Sequence, residues 1–362
     1  MRRSYLLALG TAILLFSVSS ADKAKAMQNQ ARSSDEASTL DSQAAAAVDS
    51  HHYSEAADLF ERVIELRPED AQTRYKLGRV LQTQKRFVES IAAFRQTLRL
   101  EPNLTEAHHA LGVSYNNVGR YTEAIDSFKH ALQLMPARAE TLGELAYSYC
   151  MTDQQTEAVA CAGEAIRLRP DINGDVYNTL GVAHFKLGER EEAIAAFEHA
   201  IKLEPNSAAF QNNLGFVFAD LGQLSNALAA YKEAIRLRPD YAKALNNLGT
   251  ALCSSGQYRA AIEALKQAIK LDAKMPEAPY NLAYALNLAG RKKEAIQSYK
   301  EAITVKPDLA QAYLNLAVIY LREGQRERAL EQYVILKSVD SALAEKLFGL
   351  IYQDKIISVG AR

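Results

Sequence analysis

Seven histidines, three cysteines and a column of asparagines are the side chains from which this 362-residue chain could build chemistry. His51, His52, His108, His109, His130, His184 and His199 include no i, i+4 pair, and helical neighbours such as His108 and His109 point about 100° apart, so spacing alone assembles no metal site. Glu106-x-x-His109 has the form used in di-iron bundles, but such a site needs a second copy and two further glutamates on facing helices. Cys150, Cys161 and Cys253 match neither a zinc pattern nor a redox Cys-x-x-Cys. No phosphate-binding Gly-rich loop, Gly-x-Ser-x-Gly elbow or His-Glu-x-x-His occurs, so no cofactor, metal or catalytic constellation is expected and the chain does not read as an enzyme. The asparagines are more informative, because Asn213, Asn247, Asn281 and Asn315 recur at a constant interval of 34 residues. A carboxamide carries one acceptor and two donors and can pair with both the N–H and C=O of an extended peptide. Asn178, Asn212, Asn246 and Asn287 flank this column, and Tyr280 and Tyr284 add amphipathic contact area. The alternative is that the amides bond between adjacent helices.

The elements that position these residues follow from the prolines. Pro68, Pro102, Pro136 and Pro170 stand 34 residues apart, one step of 35 reaches Pro205, and steps of 34 lead to Pro239 and, two steps on, Pro307. A fixed period of this size is the signature of an array in which each unit buries its apolar face only against its neighbours. Within 208–239, Phe210, Leu214, Phe218 and Leu221 recur at helical spacing; Gly222 then ends the helix, and Leu224, Ala227, Tyr231, Ala234 and Ile235 continue the period. Each unit therefore reads as helix, turn, helix. Proline stops the second helix, and the residue after it (Asn103, Asp171, Asn206, Asp240, Asp308) is placed to cap the next one.

Two columns of small residues are read as holding helix backbones close. Gly78, Gly112, Gly181, Gly215 and Gly249, with Ala146, Ala283 and Ala317, fall on first helices. Ala124, Ala158, Ala193, Ala227, Ala261, Ala295 and Ala329 fall on second helices, with Ser90 as the exception. The turn glycines Gly119, Gly188, Gly222, Gly256, Gly290 and Gly324 form a third column, broken by Lys85 and Asp153.

The Leu-Gly or Leu-Ala pairs at 77–78, 111–112, 145–146, 180–181, 214–215, 248–249, 282–283 and 316–317 join these columns, as do the aromatics Phe94, Phe128, Phe197, Tyr231, Tyr299 and Tyr333. Together they resemble the tetratricopeptide repeat family. The resemblance covers eight repeats over residues 71–341 and a degenerate first one over 39–70, whose second helix carries Tyr53, Ala56, Phe60 and Ile64. The family's tryptophan is absent, and Tyr177 and Tyr313 stand in that column. The resemblance implies an all-α, right-handed superhelical α-solenoid whose first helices line a concave face. It thereby places the asparagine ladder on the ligand side, as in the similar peptide-binding arrays of O-linked N-acetylglucosamine transferases. In earlier repeats the ladder column holds Lys76, Ala110, Glu144 and Thr179, so the N-terminal half, with Arg79, Glu106, Glu140 and Asp175 on its inner face, should select differently. The Lys and Asn pair of a chaperone carboxylate clamp is missing.

With 42 basic and 43 acidic residues, dispersed, the chain offers no stripe to displace counterions from nucleic acid or to seek an anionic membrane. An array also grows without a second core, so one continuous domain is expected. Arg2 and Arg3, the apolar run from Tyr5 to Val18 and the small residues Ser19-Ser20-Ala21 form a secretory signal over residues 1–21. An uncleaved anchor is the alternative, but about 14 apolar residues fall short of the ~20 that span a bilayer. Residues 22–38 read as a flexible leader. Across one hairpin Cys150 and Cys161 come out ~10 Å apart along the helices, against the ~7 Å that a disulfide tolerates, and the cysteines read as free thiols. Leu343, Leu347, Leu350 and Ile351 make an apolar stripe on a capping helix within 342–362, and residues 355–359 form a tail without an assigned role. The whole reads as an exported, non-enzymatic scaffold, expected in the bacterial periplasm or secreted, that binds a protein or extended peptide, with no nucleic acid or small-molecule substrate. The alternative is an accessory subunit of an envelope glycosyltransferase or a secretion machine.

Overall fold

The computed structural model describes residues 20–359, and every element in them is helical. The chain divides between Ile172 and Asn173 into two compact units. The first holds α1 (Ser20–Asp49), α2 (Tyr53–Leu66), α3 (Ala71–Thr83), α4 (Phe87–Leu100), α5 (Thr105–Asn117), α6 (Tyr121–Leu134), α7 (Ala139–Met151) and α8 (Gln155–Leu168). The second holds α9 (Gly174–Leu187), α10 (Arg190–Leu203), α11 (Ala208–Asp220), α12 (Leu224–Leu237), α13 (Ala242–Ser254), α14 (Tyr258–Leu271), α15 (Glu277–Leu288), α16 (Lys292–Val305), α17 (Ala310–Arg322), α18 (Arg326–Val339) and α19 (Ser341–Val359). The division falls at the single 35-residue step of the proline ruler. There Asn173 caps α9 by accepting from the Val176 N–H at 3.3 Å, and Gly174 N–H donates to Glu204 Oε1 at 2.7 Å.

In both units each first helix packs on the second helix of its own hairpin, and each second helix on the next first helix. First helices of successive repeats also touch, α3 with α5 and α5 with α7 in one unit, α9 with α11, α11 with α13 and α13 with α15 in the other. In the second unit this row, α9 to α15, carries the asparagines from Asn178 to Asn281.

The first-helix glycines do not serve backbone proximity as such. Four of them make room for a ring, and Gly249 makes room for Leu265, whose Cγ a Cβ would approach to 2.5 Å. A Cβ at Gly78 would stand 2.5 Å from Phe94 Cε1, at Gly112 2.5 Å from Phe128 Cε1, at Gly181 2.8 Å from Phe197 Cε1 and at Gly215 2.8 Å from Tyr231 Cε1. Phe94, Phe128, Phe197 and Tyr231 are at most 1% exposed, so these side chains are the filled centre of each hairpin. In the third full repeat Ala146 replaces the glycine and Ala162 the ring, and both are fully buried. The alanines of the second-helix column are fully buried too. Ser90, their exception, spends its hydroxyl on Phe87 O at 2.8 Å and lies 2.8 Å from Ser114 Oγ, which satisfies a polar group no alanine would carry.

Three further expectations change. Asn103, Asp171, Asn206, Asp240 and Asp308 do not cap, because each first helix opens later and leaves them inside the turn; the N-cap residues there are Leu104, Asn173, Ser207, Tyr241 and Leu309. A side-chain cap forms at Asp70, which accepts from the Thr73 N–H at 3.0 Å. Residues 22–38 lie in helix α1, in keeping with a segment rich in Ala, Lys, Gln and Met and free of Gly and Pro. Within it Ser34 O and Ser38 Oγ accept from Arg67 at 2.5 and 2.6 Å. At the C-terminal end Leu347 and Ile351 are buried, but Leu350 is 41% exposed and Ala344 takes its place in the stripe. Helix α19 runs on through Val359, taking in the backbone of the segment read as a tail. Among the described residues the three cysteines form no disulfide, Cys150 and Cys253 lying buried and Cys161 half-buried. Of the segment read as a secretory signal, residues 1–21, positions 1–19 lie outside the described residues, and among the described residues no helix is long and apolar enough to cross a membrane.

The turn column keeps its conformation where its residue type changes. All six turn glycines have positive φ, and so do Lys85 (60°), Asp153 (56°) and, in the first repeat, His51 (62°). A side chain in this left-handed region costs ~1–2 kcal/mol, part of which glycine returns through its looser unfolded chain. Lys85→Gly and Asp153→Gly should therefore each stabilise the first unit by ~0.5–1 kcal/mol. Denaturation midpoints check this, and a loss of stability in both variants would show that the lysine and aspartate side chains hold the turn.

Candidate binding groove

The ladder asparagines are bonded to one another. Asn213 Nδ2 donates to Asn178 Oδ1 at 2.8 Å, Asn247 Nδ2 to Asn212 Oδ1 at 3.0 Å and Asn281 Nδ2 to Asn246 Oδ1 at 3.0 Å. Along each helix Asn212 Nδ2 donates to Asn213 Oδ1 and Asn246 Nδ2 to Asn247 Oδ1, both at 3.4 Å. Six carboxamides thus form one chain, Asn281, Asn246, Asn247, Asn212, Asn213, Asn178, each donating to the next across α15, α13, α11 and α9. Asn212 and Asn246 are buried, where an unpaired amide would be costly. Asn315 continues the column differently, donating to the Tyr280 hydroxyl at 3.1 Å and the Tyr299 hydroxyl at 3.3 Å.

The same strut exists in the first unit with other chemistry. Lys76, in the ladder column, reaches back to Asp41 with Nζ at 2.8 and 2.9 Å from the two carboxylate oxygens. Neither Ala110 nor Thr179 can repeat this bond with an amide. Glu144 Oε2 instead accepts from Asn116 Nδ2 at 3.1 Å, while Ser148 Oγ donates to Asn116 Oδ1 at 2.8 Å.

Beside the amide chain the second unit opens a groove of about 560 Å³. Its wall includes Asn246, Asn247, Asn281 and Tyr280, together with Phe216, Leu224, Thr250, Leu309 and Gln311. Of the residues chosen from sequence, four therefore meet in one cavity. Asn178, Asn212 and Asn213 lie further along the amide chain, Asn315 ties Tyr280 to Tyr299, Asn287 is half-buried, and Tyr284 stands 47% exposed on α15. Phe216, 47% exposed on α11 and packed edge-on against Phe185 with centroids 5.3 Å apart, was not chosen. Its signal is positional. It follows the small residue of its first helix as Tyr284 follows Ala283, and Tyr147, 40% exposed, follows Ala146. Burial raises the pKa of Tyr280, so its hydroxyl stays protonated and able to donate.

The inner face of the first unit is more polar. His109 Nδ1 lies 3.0 Å from Thr141 Oγ1, and burial, reinforced by the Arg138 cation, pushes its imidazole down to about 4, leaving a neutral ring. Arg79 rests on the Tyr75 hydroxyl at 3.3 Å, and Glu140 pairs with Arg169 at 2.5 Å. Asp175 falls in the second unit, where burial and the neighbouring Glu204 raise its pKa.

Sequence models described as tetratricopeptide repeat match residues 42–105, 105–138, 206–274, 246–310 and 310–334, and one described as TPR repeat matches 181–222. The chain belongs to the tetratricopeptide repeat family. Among solved structures it is similar to a chain of the APC/C hetero-tetramer Cut9–Hcn1, with a TM-score of 0.58 and 17% identity over 82% of this array; the array spans 58% of that chain. It is also similar to PilF of Pseudomonas aeruginosa, with a TM-score of 0.51 and 18% identity over 61% of this array and 97% of that chain. MamA shares 27% identity over 46% of this array and 97% of that chain, with a TM-score of 0.42. A search of curated proteins returned no match.

The amide chain makes the tetratricopeptide array's asparagines contributors to stability. Asn247→Ala removes two of its bonds and strands Asn212 Oδ1, and should lower unfolding stability by ~1–3 kcal/mol. A melting curve superimposable on that of the unchanged protein would show that the bonds contribute nothing.

Proposed function

We propose that the protein is an exported, non-catalytic scaffold whose second unit holds an extended, largely uncharged segment of a partner protein. The groove carries this reading. Its open apolar groups, Phe216, Leu224 and Leu309, lie beside Tyr280 and the amides Asn247 and Asn281, which suits a chain presenting apolar side chains and backbone N–H and C=O groups in alternation. Glu277 and Lys306 are the charged residues of its wall, so a strongly charged ligand would find little compensation there. Tetratricopeptide proteins are in general interaction scaffolds, which supports a non-catalytic role. The bound segment is expected to gain from burial of apolar surface on Phe216 and from hydrogen bonds to Asn281.

A display library of random peptides panned against the purified protein tests this. Enriched peptides should be apolar and poor in charge, and Phe216→Ala or Thr250→Arg should weaken them by about tenfold or more, near 1.4 kcal/mol. Peptides that bind both variants as well as the original protein would remove the groove from consideration.

Export rests on the basic, apolar and small-residue regions of residues 1–21. In a bacterial host the chain should be processed to begin at or near Asp22 and be recovered outside the cytosol. Amino-terminal sequencing of fractionated protein decides the matter, and an intact Met1 on a cytosolic product would overturn export.

A further inference from the structure

Two of the hairpin rings meet the ladder position of the following repeat, sixteen residues on in each case. Lys76 Nζ lies 5.9 Å from the centre of the Phe60 ring, and Asn315 Nδ2 donates to the Tyr299 hydroxyl at 3.3 Å. Tyr231 carries the same hydroxyl as Tyr299, and Asn247 follows it at the same interval. Asn247 is committed elsewhere: its Nδ2 donates to Asn212 Oδ1 at 3.0 Å and its Oδ1 accepts from Asn246 Nδ2 at 3.4 Å. Among the described residues the Tyr231 hydroxyl has no hydrogen-bond partner, although the residue is only 1% exposed. A buried hydroxyl without a partner costs stability, and Phe94, Phe128 and Phe197 fill the same place in their hairpins without one.

This oxygen is not sealed in. Tyr231 is part of the groove wall. Among the described residues the fully enclosed side-chain polar atoms that lack a partner are Gln155 Oε1 and Arg326 Nη2, and the Tyr231 hydroxyl is not one of them. The same groove is lined by the small residues Ala219, Thr250, Ala251 and Ser254, which leave room for a ligand side chain to descend to the hydroxyl. Thr250 Oγ1 donates to Asn246 O at 3.0 Å and Ser254 Oγ to Thr250 O at 3.2 Å, so both have spent their hydrogens and remain acceptors. Burial raises the pKa of Tyr231, which keeps its phenol protonated and able to donate.

We infer that Tyr231 is the floor of a side-chain subsite in the groove, taking one hydroxyl or carboxamide side chain (Ser, Thr, Asn or Gln) of the bound segment, which accepts from the Tyr231 hydroxyl and donates to Thr250 Oγ1 or Ser254 Oγ. The subsite rests on the groove reading above and gives it a selectivity. A carboxylate could accept from the phenol but would face two acceptor oxygens, and an ammonium could donate to those oxygens but would leave the phenol hydrogen unpaired. An apolar side chain would strand the hydroxyl outright, and a site built to hydrogen-bond its ligand discriminates strongly against a group that cannot. The bound segment is therefore apolar except at one neutral polar position.

The test measures peptides enriched on the full chain by calorimetric titration against Tyr231→Phe, Phe216→Ala and Thr250→Arg, each peptide also in forms with its Ser, Thr, Asn or Gln replaced in turn by Ala. Tyr231→Phe should melt at the temperature of the unchanged protein or above it, since phenylalanine fills this place in other hairpins. It should weaken the parent peptides about tenfold and leave unaffected the form that has lost the anchoring side chain. Panning against Tyr231→Phe should return an apolar residue at that position. A lower melting temperature for Tyr231→Phe would show that the hydroxyl is paired within the folded protein through a fixed water, and would overturn the subsite. An enriched set with no hydroxyl or carboxamide residue at a common position would do the same. If Tyr231→Phe binds the parent peptides undiminished while Phe216→Ala and Thr250→Arg lose them, the groove stands and the subsite alone falls. Peptides indifferent to all three variants remove both.

Discussion

The centre of a helical hairpin is a small enclosed space, filled by a ring in most repeats and by Leu265 in another, and the rest of the array is arranged around it. Phe94, Phe128, Phe197 and Tyr231 each enter a space that exists because a glycine on the facing helix has no side chain. In the third full repeat Ala146 stands in the glycine's place and Ala162 in the ring's, which gives that hairpin a smaller centre, whereas Ala283 keeps a fully buried ring in Tyr299. A hairpin packed this way still exposes its outer apolar groups, and the next repeat covers them. The array therefore continues until α19 ends it.

Most of this was legible in the sequence because packing and turns impose residue types at fixed intervals. The prolines, the alanine column and the aromatics gave the hairpins, and Gly222 and its counterparts gave their turns. Legibility failed where geometry is kept but residue type is not. His51, Lys85 and Asp153 hold the same left-handed conformation as the glycines, at an energetic cost that no residue name reveals. It failed also for the caps, since the residue after proline is polar for the needs of the turn and stands too far ahead of the helix to reach its N–H groups. The purpose of the first-helix glycines was half readable. Their recurrence pointed to close packing, but that the close neighbour is an aromatic ring sixteen residues on follows only from the coordinates.

The site was legible as a column and not as a network. Asn247 and Asn281 line a groove, yet an amide's donors and acceptors are interchangeable on paper, and the sequence could not say whether they turn towards a ligand or towards Asn212 and Asn246. In the structure they do the second, and Phe216, Leu224 and Leu309 supply the open apolar surface. The first unit achieves the same bracing between α1 and α3 with Lys76 and Asp41, a charged pair that is half-exposed and therefore worth less than its short distances suggest. Between α5 and α7 the bracing is supplied by Asn116, bonded to Glu144 and Ser148.

The six-amide chain has a direction. Every member from Asn281 to Asn178 points its donor the same way, so the bond dipoles add and each bond polarises the next. Turning over any single interior amide would set oxygen against oxygen at one junction and N–H against N–H at the other. The chain as a whole therefore has two consistent settings, and the one observed leaves a carbonyl oxygen, that of Asn281, at its end in the groove wall. The electrical sign of that spot is fixed four helical hairpins wide, with Asn178 as its distant anchor, and the groove inherits a polarity that none of its own residues could hold alone.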